Sequence, residues 1–268
     1  MKRILLFSIV ILFFASAKTI AQEEGIIKKK KRIELDRGVH IGIGPSLTLG
    51  NNIGDYSSGY NLESGFRKRL NSIISLGASV SYIHFRYDPQ KTTDDLGQAY
   101  VGYNQDGYWD GRIVKLNGGD LNLVSSSFDI KINFVPVHDD SKFSFYGLVK
   151  PFISMSSLSK ITATIDYYKN NTVDRSPNHW DYVKTSPGEV ESEAKFTGGI
   201  FVGPGMELNP AGNLSFFAEA SFGYTFPITF ISTEAYDSTL EDFEDEDFPL
   251  ATNGFPSMNV SVGISYNF

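Results

Sequence analysis

The residues able to do chemistry are few and widely spaced. The chain has 4 His, at positions 40, 84, 138 and 179, and no Cys, which removes thiolate nucleophiles, disulfides and Cys-based zinc sites together. Neither G-x-S-x-G nor H-E-x-x-H occurs, so no hydrolase or metalloprotease template organises those histidines. His84 is the one placed for chemistry at a rim, yet Phe85 and Arg86 beside it complete no dyad, and a general base needs a nucleophile or water within hydrogen-bond reach. An acidic run offers different chemistry: Glu234, Asp237, Glu241, Asp242, Glu244, Asp245, Glu246 and Asp247 are hard oxygen donors of the kind Ca²⁺ or Mg²⁺ takes. Their spacing lacks the EF-hand pattern and its central Gly, which favours a solvated charge run; Glu241, Asp242, Glu244, Asp245, Glu246 and Asp247 stay a candidate divalent-cation loop. Tyr100 to Gly111, rich in Tyr, Gly, Asn and Asp, reads either as a ligand-facing aromatic surface or as turn formers beside an interfacial aromatic girdle.

The elements that must hold these residues are strands, because the hydrophobic period is two. Met258, Val260, Val262, Ile264, Tyr266 and Phe268 alternate with Asn259, Ser261, Gly263, Ser265 and Asn267. The same alternation runs through Leu214 to Phe226, Phe196 to Leu208, Phe128 to Phe134, Phe143 to Met155, Ile74 to Tyr82 and Val39 to Leu49, with a weaker copy at Tyr60, Leu62 and Phe66. Eight strands follow, at 38–49, 59–69, 72–87, 120–135, 142–156, 195–209, 213–228 and 256–268. Long connections (50–58, 88–119, 157–194 and 229–255) alternate with short ones at Leu70-Asn71, 136–141 and Asn209 to Asn213. Strands this long meet the roughly 9 to 11 residues that cross a bilayer at a tilt, and an even count returns both termini to the short-turn side. At Tyr82-Ile83 the apolar parity of the third strand flips, which predicts a bulge or the strand's exit from the membrane.

Composition agrees with a single β domain: 268 residues, 41% hydrophobic, 14% aromatic and 25 Gly exclude disorder and favour strands. Residues 1–21 read as a secretory signal, with Lys2 and Arg3 ahead of the apolar run Ile4 to Ala15; that run is shorter than the roughly 20 residues of a spanning helix. Cleavage after Ala21 is taken over the alternative after Ala17. Losing Lys2, Arg3 and Lys18 moves the net charge from −7 to −10, so a nucleic-acid partner is not expected. The domain reading is signal peptide 1–21, a basic periplasmic stub 22–37 containing Lys28 to Arg32, and a barrel over 38–268.

A soluble sandwich or a lipocalin-like barrel also alternates, so the polar face arbitrates. Eighteen polar-parity positions of the last three strands carry only two charges, Glu207 and Glu219, where a water-facing surface would carry about five. Small uncharged residues suit a crowded lumen, and the charge-free apolar face suits lipid. Inward parity selects Glu63, Arg67, Asp129, Lys131, Lys150, Glu207 and Glu219, with His40 toward the short turns. Mixed signs inside a narrow barrel predict a plug of ion pairs, in which Asp129 faces Lys150, over a selectivity filter or proton relay.

The last strand ends Tyr266-Asn267-Phe268, apolar at alternate positions back from the terminal Phe. With the leader and the alternation, the chain resembles the eight-stranded outer-membrane β-barrel (porin-like, OmpA-like) domain proteins of Bacteroidetes-type Gram-negative bacteria. The resemblance implies an all-β, antiparallel, up-and-down transmembrane barrel with long extracellular loops, short periplasmic turns and periplasmic termini, located in the cell outer membrane. It further implies that Tyr266 and Phe268 belong to the signal read by the barrel-assembly machinery, and that outer-membrane lipid and lipopolysaccharide are the surroundings of a monomer. The Lys28 to Arg32 run and the modestly apolar second strand depart from the family pattern. No catalytic residue, cofactor or resident metal is assigned. The expected role is structural or one of surface interaction; a narrow channel for ions or small solutes is the alternative, and a hydrolase or acyltransferase the third.

Overall fold

The computed structural model describes residues 36–50, 56–88, 101–103, 109–170, 180–190, 194–231 and 250–268. The expected signal peptide, nearly all of the basic stub and the acidic run 234–247 lie outside the described residues, with His179. Among the described residues twelve strands form: β1 (Arg37–Thr48), β2 (Gly59–Arg69), β3 (Ile74–Phe85), β4 (Val101–Tyr103), β5 (Trp109–Asn117), β6 (Leu121–Asn133), β7 (Phe143–Leu158), β8 (Ile161–Asn170), β9 (Trp180–Val190), β10 (Lys195–Leu208), β11 (Leu214–Ile231) and β12 (Leu250–Asn267). Eight of them close into a barrel in the order β1-β12-β11-β10-β7-β6-β3-β2, every neighbour antiparallel. These are the eight strands expected from the alternation, with β11 and β12 running farther into the 229–255 connection.

Closure leaves no unpaired edge, and it orients the two faces. Val39, Ile41, Val80, Phe128, Ile153, Val202, Phe216 and Val262 all point outward and stay exposed, Ile153 at 68%. Inward stand Ser79, Ser125, Asp129, Lys131, Lys150, Glu207, Ser215 and Glu219, all buried. The barrel is therefore apolar outside and polar inside over most of its height, the reverse of a soluble barrel.

The short turns gather at the end that holds the C-terminus. Asn71 Oδ1 accepts the amides of Ile73 and Ile74 at 2.8 and 2.7 Å, so the β2–β3 turn spans two residues more than the expected Leu70-Asn71. Asn209 closes the β10–β11 turn at φ 57, a left-handed conformation that Asn tolerates better than most residues. The amide of Phe268 donates to the carbonyl of Arg37 at 2.8 Å, joining the last residue to the first strand.

Of the two readings of the parity change at Tyr82-Ile83, the bulge is excluded: the pairings of β3 with β2 and β6 run without a shift from Tyr60↔His84 to Arg69↔Ser75 and from Ile74↔Ile132 to Phe85↔Leu121. The inward side keeps its direction and turns apolar, with Ile83 and Phe85 inside. The long connections are also more than loops. β4-β5-β8-β9 make a second sheet, which continues the wall: Asn117↔Thr162 keeps the register of Leu121↔Leu158, and Ile161↔Val190 that of Lys195↔Ser156. The crossing from β5 to β6 passes through Gly118 and Gly119, at φ 86 and 85, where a side chain would be strained.

Candidate functional site

The interior is the only place where this chain concentrates ionised groups among the described residues, and it is built by alternate residues of nearly every barrel strand. Lys131 on β6 is paired with Glu207 on β10, and Ser215 Oγ donates to the other Glu207 oxygen at 2.6 Å. Lys150 on β7 reaches Glu63 Oε1 on β2 at 2.6 Å and Glu219 Oε2 on β11 at 3.2 Å. Arg67 on β2 stands 3.6 Å from Glu219 Oε1, which also accepts from the Tyr146 hydroxyl at 2.8 Å. The Lys131 ammonium lies 3.9 Å from the centre of the Tyr146 ring, close enough for a cation–π contact. Each of the ion pairs joins strands that are not neighbours, so the charges tie separate parts of the wall together.

Glycines give the larger interior rings their room. His40 is paired across from Gly65, where a Cβ would sit 2.6 Å from the imidazole Cε1. Tyr146 is paired across from Gly205, where a Cβ would come within 2.3 Å of the ring. Gly205 thus serves packing inside β10.

All seven expected lumen charges point inward, but one pairing differs from expectation. Lys150 forms its ion pairs with Glu63 and Glu219, while Asp129 is held by hydroxyls: Ser79 and Ser127 donate to Asp129 Oδ1 at 3.0 and 2.8 Å. Asp129 Oδ2 is buried with no hydrogen-bond partner. The cause is reach across the lumen, which adjacent-strand reasoning does not see. His40 joins the same region, its Nε2 3.2 Å from Glu63 Oε1. His40, Glu63 and Asp129 each bring one ligand atom within 4.8 Å of the others, a grouping that sequence spacing did not reveal because they come from three strands.

Above the charges sits an uncharged polar belt. Ser46 Oγ donates to Asn259 Oδ1 at 2.7 Å, and Ser261 Oγ to Asn61 Oδ1 at 2.7 Å. Beyond it the lumen becomes apolar: Tyr56, Ile83, Phe85, Tyr87, Leu121, Leu123, Phe152, Leu158, Phe201, Phe230 and Phe255 form one buried cluster at the end of the long connections. Phe152 and Phe201 stack with centroids 5.0 Å apart. Between charges and cluster remains a cavity of about 20 Å³, lined by residues including Asn61, Glu63, Lys150, Phe152, Phe201 and Glu219. That holds about one water.

His84 lies on the outer face near the same end. Asn122 Oδ1 sits 3.0 Å from His84 Nδ1 and accepts from the Tyr82 hydroxyl at 2.6 Å, and Asp120 approaches His84 Nε2 at 3.8 Å. Among the described residues no Ser or Thr hydroxyl hydrogen-bonds to His84, and its ring packs beside Tyr60 as one of an aromatic group. Tyr266 and Phe268 are exposed on the outer wall at the short-turn end, ring centroids 6.3 Å apart. Tyr100 and 104–108 lie outside the described residues; Val101 to Tyr103 and Trp109 to Gly111 belong to β4 and β5.

No family model and no curated protein matches the chain. Solved structures do. Ail, the attachment invasion locus protein of Yersinia pestis, is similar at 14% identity and a TM-score of 0.36, over 88% of this chain and 99% of that one. The outer membrane protein OprG from Pseudomonas aeruginosa is similar at 8% identity and a TM-score of 0.40, over 87% and 96%. The outer membrane protease OmpT from Escherichia coli is similar at 9% identity and a TM-score of 0.34, over 87% and 97%. The barrel assignment rests on the closed strand order and not on these likenesses.

Proposed function

We propose that the protein is an integral outer-membrane barrel with a structural or surface-interaction role, a lumen closed to solutes and no catalytic cycle. The observation that carries the reading is the filling of the interior: cross-lumen ion pairs, then the polar belt, then the apolar cluster, with room for about one water between them. The membrane location is supported by the outer wall, where Ile41, Val80, Ile153 and Val202 are exposed while ionised groups face inward. A charge facing lipid at mid-depth costs about 2 to 4 kcal/mol, which accounts for the segregation. Periplasmic termini fit the gathering of short turns at the end holding Phe268, and then the long connections with the β4-β5-β8-β9 sheet form the extracellular surface on which an interaction would occur.

The test is conductance of the full chain in planar bilayers. A silent membrane containing folded, heat-modifiable protein is expected. Stable open steps would replace this reading with that of a narrow channel for ions or small solutes.

A further inference from the structure

We propose that the lumen binds one divalent transition-metal ion through His40, Glu63 and Asp129, a site that goes beyond the structural role above and does not depend on the barrel's location. The three side chains come from β1, β2 and β6, and their nearest ligand atoms all lie within 4.8 Å of one another. His40 and Asp129 are buried, Asp129 completely at 0% exposure. Closing onto an ion requires shifts of about an ångström, because metal–ligand bonds to nitrogen and oxygen are roughly 2.0 to 2.2 Å long.

The independent sign of a missing ligand is Asp129 Oδ2. Ser79 and Ser127 both donate to Oδ1, and Oδ2 is left buried with no partner. An enclosed carboxylate oxygen without a donor is costly, and a cation removes that cost.

One imidazole nitrogen with two carboxylates suits Zn²⁺, Co²⁺, Fe²⁺ or Mn²⁺ better than Ca²⁺ or Mg²⁺, which prefer oxygen alone. Lys150 is the competitor, since its ammonium lies 2.6 Å from Glu63 Oε1. It also has an alternative partner, Glu219 at 3.2 Å, so Glu63 can turn to an ion without stranding the ammonium.

The experiment titrates Co²⁺, competed by Zn²⁺, into the full chain folded from urea into detergent micelles after metal removal, with heat-modified gel migration reporting folding. Expected are one Co²⁺ per chain with visible absorption bands, at least about tenfold weaker binding in His40→Gln and in Asp129→Asn, and tighter binding in Lys150→Met. The last result separates a binding site from mere structural damage, because Lys150→Met removes an ion pair. Should a variant not fold, the His40 ring resonances of the unsubstituted chain decide, and they should be shifted by paramagnetic Co²⁺. Absence of stoichiometric binding, unshifted His40 resonances, weaker binding in Lys150→Met, or full binding in folded His40→Gln and Asp129→Asn would overturn the proposal, the last by placing the ion elsewhere, as in the 241–247 acidic run.

Discussion

Toward the short turns the lumen is occupied by Glu63, Arg67, Lys131, Lys150, Glu207 and Glu219 in cross-wall ion pairs, whereas toward the long connections it is occupied by Phe85, Leu121, Phe230 and Phe255, with nothing ionised among them. Both halves are buried, but they respond to change differently. An apolar interior tolerates any side chain of similar volume and shape. A charged interior tolerates almost none, because each group is stable in its enclosure only while its own partner remains. The charged half therefore fixes which strands stand opposite one another, and the apolar half supplies bulk burial without a comparable demand on partner identity.

Lys150→Met should give the largest effect that sharpens this contrast. Lys150 is 5% exposed and serves two acids, so its loss leaves Glu63 and Glu219 less compensated and should cost roughly 3 to 5 kcal/mol, less where water enters. Adding Glu219→Leu should restore part of that loss, and adding Asp129→Leu should restore less, because Asp129 is held by serines. Urea unfolding midpoints in detergent micelles measure both double variants; greater rescue by Asp129→Leu would return the pairing to the one expected from adjacent strands. In the apolar half, Leu121→Ala should cost about 2 to 5 kcal/mol through its cavity, while Leu121→Met should cost under about 1.5 kcal/mol. Equal losses from the two Leu121 variants would show that this half, too, demands specific partners.

The same contrast explains what the sequence made legible. Alternation marks two faces of a strand whatever lies against them, so all eight barrel strands were readable, and the scarcity of charge on the polar face showed which side is inside. Alternation cannot show a lumen that changes from polar to apolar along its axis. Ile83 and Phe85 keep the inward direction of Ser79, yet in sequence they look like a face that has flipped. The pairs of Lys150 were hidden for a different reason: Glu63 and Glu219 are opposite it only once the barrel closes, and no local spacing encodes closure. β5, β8 and β9 escaped notice because their sequences combine weak alternation with strand-averse residues such as Pro187 and Gly188. They form by inheriting the register of β6, β7 and β10 rather than from a pattern of their own.

That inheritance passes through Gly118, and it separates the barrel from the sheet that extends it. A Cβ at Gly118 would lie 2.0 Å from the Lys160 carbonyl oxygen, at φ +86, so Gly118→Ala should cost about 1 to 3 kcal/mol of local strain. Hydrogen exchange should lose protection at the amides of β5 and β8 while β6 and β7 keep theirs. Loss of protection in β6 as well would mean that the two sheets open as one unit.

The smallest expected effect lies within the charged half and tests whether hydroxyls there matter as ion pairs do. Ser79 Oγ is 2.7 Å from Ser127 Oγ and donates to Asp129 Oδ1 at 3.0 Å. In Ser79→Ala the Ser127 hydroxyl still reaches the same oxygen, at 2.8 Å, so Asp129 loses one of two donors and no formal charge is uncovered. The cost should be about 1 kcal/mol, the net value of one hydrogen bond, read as a small drop in the urea midpoint with an unchanged denaturant slope. A loss as large as that of Lys150→Met would mean that solvation of the Asp129 carboxylate, and not the pairing of Lys150 with Glu63 and Glu219, is what stabilises this half of the lumen.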